Sequence, residues 1–337
     1  MHIKQSAIHF VLMFCGLLTT TIYADDNGVH FRSVFSINKS FCAIRTNGVL
    51  GIDNRNSALA GRGYGTSSTN SMLFLENGIN NISLEIASLD WFTAKSDSPK
   101  GKFDPNASCQ LSLIASGNGK TITLKTIDVA INEENEPYEK GTSNKSGSIN
   151  ISKVEKIKAV QIEEGHFLED YFNKYDFPKD MDVYRFTKTL SISGLPKWKW
   201  TDATPFTGSR EQILALQNAY SELWRAFASK NNNAIKSQID ESLNAWSIST
   251  NTDKVNIYND LDFVTDLENS TFKMLPINWS DYKVEVMNKG RLVRFVNKSA
   301  PTFSPVSYLV EDDENDELIG TYSPIFSLID GKFIPVI

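Results

Sequence analysis

The sequence predicts an exported α+β protein of two domains, an N-terminal antiparallel β-sandwich followed by helices packed on an antiparallel sheet. Three observations support this. The chain begins with an apolar leader, and its front half consists of short strand-like segments without a helical period. Near the C-terminus, amphipathic helices precede segments in which apolar and polar residues alternate. The chain has 337 residues, enough for two cores. We expect the domains at 25–148 and 206–337, joined by a β-rich connector at 149–205.

The first 24 residues have the pattern of a secretory signal peptide. Lys4 is their only charged side chain, an apolar run extends from Ala7 to Leu18, and Ala24 is a small residue suited to signal peptidase. The run is shorter than the roughly 20 apolar residues that span a bilayer. We therefore expect cleavage near Ala24 and a periplasmic mature chain that is not inserted in the membrane.

Cys42 and Cys109 are the cysteines that remain after this cleavage. Two cysteines in an oxidising compartment are expected to pair, and the long loop between them gives a stabilisation of about 4 kcal/mol in the chain-entropy model. The alternative is two separately buried thiols. Cys15 lies in the leader after Phe14, which fits a lipoprotein cleavage box poorly, so we interpret it as part of the apolar run.

The front half alternates in the manner of β-strands. The run Val29–Ile37 leads towards Asn47 and Gly48, a residue pair favoured in tight hairpin turns. The segment Ile79–Leu89 alternates between apolar and polar residues, as a half-buried strand does. Gly, Ser and Thr dominate Ser57–Ser71, which we predict as a loop. A sandwich with a disulfide between its strands is the simplest account.

The connector is predicted to contain strands at 149–162 and 183–192, a short helix at 166–175, and an aromatic segment with Trp198 and Trp200. Aromatic residues beside prolines often seal a junction between domains, whereas exposed ones stack on sugars or anchor a protein partner. Trp198 and Trp200 are therefore candidate partner-binding residues.

The last part is predicted to begin with helices. Ser209 and Gln212 form a capping box in front of the first helix, and two more helices are expected at 234–246 and at about 255–267. After Pro276 apolar and polar residues alternate again, which predicts β-strands from there to the C-terminus.

This element order resembles the cone fold of ketosteroid isomerase, scytalone dehydratase and nuclear transport factor two. The helix 214–230 and the final hairpin 325–333 carry the resemblance. It implies a small-ligand, isomerase or dehydratase role in which a pocket acid and a tyrosine act. Residues of the right types, none matched to a catalytic position of that family, are Tyr220, Tyr258, Asp260 and Asp262.

Charge and motifs restrict the remaining functions. The formal net charge is −6, and removing the leader makes it one unit more negative, so we expect no nucleic-acid partner. The sequence contains no Gly-x-Ser-x-Gly elbow, no His-Glu-x-x-His and no phosphate-binding loop. We therefore expect no enzymatic activity, no cofactor and no metal site.

The densest carboxylate cluster lies at 311–317. It lacks the glycine that a calcium loop places at its sharp turn, so we interpret it as a solvated hairpin tip. The functional alternative is contact with a basic partner. The candidate partner-binding residues here are Asp312, Asp313, Glu314, Asp316 and Glu317.

The signal peptide, the acidic mature chain, the β-rich front and the stretch Leu195–Trp200 resemble the periplasmic immunity proteins of type VI secretion effectors. This resemblance implies a two-domain toxin inhibitor that binds a protein partner and occludes it. The alternatives are a small ligand in the C-terminal domain, and recognition of carbohydrate or of the cell envelope by the N-terminal sandwich.

Overall fold

The computed structural model describes residues 28–93, 100–141, 151–167, 177–312 and 314–337. It is a mixed α+β fold with several antiparallel sheets, as the sequence predicts. The signal peptide, most of the helix expected at 166–175, and Asp313 lie outside the described residues.

The first two sheets are built from strands in the N-terminal part of the chain. The first sheet has the order β4-β1-β6-β7-β8 and the second β3-β2-β5-β10-β9. Their strands are β1 His30–Asn38, β2 Ser40–Thr46, β3 Val49–Asp53, β4 Tyr64–Asn70, β5 Gly78–Ser88, β6 Ser108–Gly117, β7 Lys120–Ile131, β8 Pro137–Glu139, β9 Lys153–Lys158 and β10 Asp182–Ile192. The short helices α1 Arg55–Leu59 and α2 Asp90–Thr93 follow β3 and β5.

The C-terminal part begins with helices and continues with two more sheets. The third sheet has the order β11-β14-β15, and the fourth has the order β12-β13-β16-β17. The elements are α3 Arg210–Ala228, α4 Asn232–Gln238, α5 Asp240–Thr250, α6 Lys254–Asn259, α7 Asp262–Asp266, β11 Lys273–Met274, β12 Tyr282–Met287, β13 Leu292–Asn297, β14 Val306–Glu311, β15 Glu317–Tyr322, β16 Phe326–Ile329 and β17 Lys332–Pro335.

The segment predicted as a loop at Ser57–Ser71 is structured. It contains most of α1 and the whole of β4, which pairs with β1 from Asn38 opposite Tyr64 to Arg32 opposite Asn70. The prediction was wrong because it relied on side-chain composition. An edge strand such as β4 is held by backbone hydrogen bonds, which Gly, Ser and Thr form as other residues do.

The helical region has more breaks than its periodicity indicates. The cap of α3 is confirmed, since the Gln212 backbone N–H donates to Ser209 Oγ at 3.3 Å. The helix expected at 234–246 is divided into α4 and α5 at the buried Ile239, and the third is divided into α6 and α7 by the extended backbone of Leu261. Both breaks keep the apolar spacing, so periodicity alone does not reveal them.

The buried residues show how the parts meet. Side chains from both N-terminal sheets form one apolar cluster, which also includes Met287, Leu292 and Val336 from the C-terminal part. A second cluster lies between the helices and the last two sheets. The connector is not separate from the sheets, because it supplies β9 and β10, and β10 pairs with β5.

Candidate functional site

Trp198 and Trp200 lie inside the protein. Their indole N–H groups donate hydrogen bonds to the carbonyl oxygens of Leu75 (2.9 Å) and Leu73 (3.1 Å), and the two residues are only 4% and 1% exposed. The Arg291 guanidinium lies 5.1 Å from the centre of the Trp200 ring. In this conformation neither a protein nor a sugar reaches the two indoles, which corrects the expectation that they are exposed anchors.

Cys42 and Cys109 face each other between the two N-terminal sheets. Cys42 belongs to β2 in the second sheet and Cys109 to β6 in the first, and both residues are fully buried. Burial, and then a hydrogen bond with the Cys42 side chain, raises the pKa of the Cys109 thiol. The two side chains are neighbours, and a disulfide between them stays a prediction.

The acidic hairpin loop is a defined turn between β14 and β15. Asp312 Oδ1 accepts hydrogen bonds from the backbone N–H groups of Glu314 and Asp316, both at 2.9 Å, and Asn315 adopts a φ of 65°. These contacts fix the backbone. Glu314, Asp316 and Glu317 are exposed.

The structure extends this loop into a larger acidic surface beside α7. Asn269 Nδ2 donates to the Glu311 carbonyl oxygen at 2.8 Å, and the Glu311 N–H donates to Thr271 Oγ1 at 2.9 Å, which fixes the base of the hairpin to the segment after α7. We call the carboxylates gathered here the acidic face: Asp262, Asp266, Glu268, Glu311, Asp312, Glu314, Asp316 and Glu317. Among the described residues none of them has a salt-bridge partner.

A second feature, which the sequence did not indicate, is a groove of about 930 Å³ between the second and the fourth sheets. Strands β2, β3, β5, β9 and β10 line one wall and β12 and β13 the other, and the rest of the lining comes from residues 54–57 around α1, 159–162, Phe177 and 299–303. Six lining residues are basic and three are acidic, so we call it the basic groove. They are Arg45, Arg55, Lys158, Arg185, Lys283 and Arg294, with Asp53, Glu85 and Glu285.

Glu85 is the buried centre of one wall. Its Oε1 accepts hydrogen bonds from Arg45 Nε (3.0 Å) and from Arg185 Nε and Nη2 (2.8 and 2.6 Å). The Glu85 side chain is 8% exposed, whereas those of Arg45 and Arg185 are 23% and 33% exposed. Strand register creates the cluster, because Arg185 lies directly opposite Glu85 in β10.

The opposite wall carries a simpler pair. Glu285 of β12 lies directly opposite Arg294 of β13, and Arg294 Nε donates to Glu285 Oε2 at 2.6 Å. Lys283, on the same face of β12, also lines the groove. Both walls thus present guanidinium groups to one space.

The interior of the C-terminal part is filled by aromatic side chains. Tyr220 packs on Phe295 and Phe326, its hydroxyl donates to the Pro324 carbonyl oxygen at 3.2 Å, and burial raises its pKa. The Tyr258 hydroxyl donates to Asn232 Oδ1 at 2.8 Å. Both tyrosines therefore have structural partners.

The remaining side chains with metal or catalytic chemistry are scattered. In the ranges that the structure describes, no three His, Cys, Asp or Glu side chains come together as a metal site. None of the helices in those ranges combines the length and the apolar character needed to cross a bilayer. His166 Nδ1 contacts Asp281 Oδ1 at 2.9 Å, where the pair joins the connector to the fourth sheet.

Comparisons of this chain with models of known families, with curated proteins and with solved structures find no match. Functional conclusions for this protein therefore rest on the geometry of the acidic face and of the basic groove.

Proposed function

We propose that this protein is an exported, non-enzymatic binding protein of the Gram-negative periplasm that acts on a basic protein partner. The observation that carries the proposal is the acidic face, whose carboxylates are preformed on the surface and have no cationic partner among the described residues. Carboxylates left in this state attract a basic partner over a distance and pair with it on contact.

Immunity to a toxin is the specific form that we propose. The resemblance to immunity proteins of type VI secretion effectors suggests a toxin that enters the periplasm, and an acidic protrusion is suited to covering a basic cleft. The hairpin loop has its backbone fixed by Asp312, so little conformational entropy would be lost when it docks.

We also propose that the two N-terminal sheets form a β-sandwich domain and that the helices and last two sheets form a second domain. The division is supported by the sheets themselves. In the described part of the chain, strands of 30–192 pair only with one another and strands of 273–335 do the same.

Co-expression with the toxin encoded next to this protein tests the proposed function. Cells that carry the wild-type protein are expected to survive, and the triple variant Glu314→Gln, Asp316→Asn, Glu317→Gln is expected to lose at least tenfold in survival because steering and pairing are weakened. The matched control is Glu133→Gln, Glu134→Gln, Glu136→Gln, which removes three carboxylates from the turn before β8. Survival that does not depend on this protein at all would refute the proposal, and equal effects of the two variants would refute the role of the acidic face.

Export is tested separately on the mature protein. We expect an N-terminus near Asp25 by mass spectrometry, and no titratable thiol in denaturant without reductant if Cys42 and Cys109 are paired. An intact N-terminus on protein recovered from the cytosol would contradict export.

A further inference from the structure

We propose that the basic groove binds a small organic anion with an apolar body, and that Arg45 and Arg185 hold its acidic group. The site is separate from the acidic face and does not depend on the proposed function. Its lining carries twice as many basic as acidic residues, in a protein whose net charge is −6. An excess of positive charge enclosed between two sheets favours a negatively charged ligand.

Of the three excess positive charges, one lies at Glu85, whereas that of Lys158 is paired with Asp182 outside the lining. Two guanidinium groups share this one carboxylate, so one positive charge at the cluster is not compensated. Arg45 Nη2 and Arg185 Nη1 have no hydrogen-bond partner among the described residues, and both side chains are partly exposed. Guanidinium groups bind carboxylate, sulfonate and phosphate oxygens through such free N–H groups.

Apolar side chains line the space next to these arginines. On the second sheet they are Leu50, Ile157 and Val183, and on the opposite side Val296 and Phe303. A volume of about 930 Å³ lies within the range of small-molecule sites. The combination of a cationic centre with an apolar lining fits an amphiphilic anion better than inorganic phosphate or a fully polar sugar acid.

A pair of fluorescent probes tests this inference. 1-Anilinonaphthalene-8-sulfonate has an aromatic body and a sulfonate group, and N-phenyl-1-naphthylamine has nearly the same body without the charge. With the folded, full-length mature protein we expect saturable binding of the sulfonate at one site, at least tenfold tighter than binding of the neutral probe. The preference should decrease as salt is raised from about 50 to about 500 mM, because the attraction is electrostatic.

Variants locate the binding site. Arg45→Gln and Arg185→Gln are each expected to raise the dissociation constant of the sulfonate probe about tenfold and to leave that of the neutral probe unchanged. Arg32→Gln is the matched control, because Arg32 is an exposed arginine of β1 outside the groove. If Arg185→Gln does not fold, Arg185→Lys replaces it and is expected to weaken binding less. Equal affinity for the two probes, or equal effects of Arg32→Gln and Arg45→Gln, would overturn the proposal.

Discussion

In the basic groove each glutamate accepts a hydrogen bond from at least one arginine. On the acidic face, by contrast, no carboxylate has a cationic partner among the described residues. The groove charges lie between two sheets, where an unpaired carboxylate would be costly. The carboxylates of the acidic loop are solvated and cost little when left alone. The two regions therefore differ in their charge balance: pairing in the groove contributes to stability and leaves a cationic excess, and the described carboxylates of the acidic face stay without a cationic partner.

Removing the charge of Glu85 should cause the largest loss of stability. Glu85→Gln leaves two guanidinium groups facing each other without their shared anion, and we expect a loss of about 3 kcal/mol in the free energy of unfolding. Urea denaturation followed by circular dichroism measures it.

Glu155 provides the control for this substitution. It lies directly opposite Arg185 in the neighbouring strand but pairs with Lys153 at the surface, where the two side chains are 41% and 72% exposed. Glu155→Gln should therefore lower the free energy of unfolding far less than Glu85→Gln does. Equal losses for the two variants would show that the pairing in the groove is no more structural than a surface pair.

The ion pair of Glu76 with Arg291 tests, through the pH dependence of stability, whether a buried pair stabilises the fold more than an exposed one. Hydrogen bonding to the Arg291 guanidinium lowers the pKa of Glu76 from its usual 4.5, and desolvation opposes this. A carboxyl whose pKa is lower in the folded state contributes stability above its unfolded pKa and loses it as the pH falls through the folded pKa. The wild type should thus lose stability as the pH falls from about 5 to below 4.5, and Glu76→Gln should lose this part of the dependence.

Substitution of the two cationic partners of Glu76 measures how much each of them contributes to the free energy of unfolding at neutral pH. Arg291→Gln should cost about 2 kcal/mol, because both side chains of the pair are only 13% exposed. Lys289→Gln should cost less than about 0.5 kcal/mol, since Lys289 also contacts Glu76 but is 66% exposed. A pH dependence that is the same in wild type and Glu76→Gln would contradict the assignment.

The acidic loop could be found in the sequence and the basic groove could not, for a physical reason. The loop is contiguous, so its charge density is visible at 311–317. The groove joins Arg45, Glu85 and Arg185 through strand register over separations of 40 and 100 residues. No local signal was present, because the alternation in Ile79–Leu89 predicts a half-buried strand with Glu85 on its solvated side, whereas the structure buries every residue from Ile82 to Ser88.

Other elements divide in the same way. The hairpin at Asn47 and Gly48 and the cap of α3 at Ser209 depend on a few adjacent residues, and both were predicted. The burial of Trp198 and Trp200 depends on Leu73 and Leu75, more than 120 residues away, and the sequence left it open.

The smallest effects are expected on the acidic face itself. The triple variant Glu314→Gln, Asp316→Asn, Glu317→Gln should change the free energy of unfolding by less than about 0.5 kcal/mol, because these side chains are exposed and have no cationic partner among the described residues. Asp312→Ala, in the same loop, should cost about 1 kcal/mol, because its carboxylate accepts the N–H groups of Glu314 and Asp316. Differential scanning calorimetry of both variants in low salt distinguishes carboxylates that only carry surface charge from the Asp312 carboxylate that holds the turn. A large loss in the triple variant would mean that these carboxylates support the fold and are not kept free for a partner, and the contrast with the groove would then disappear.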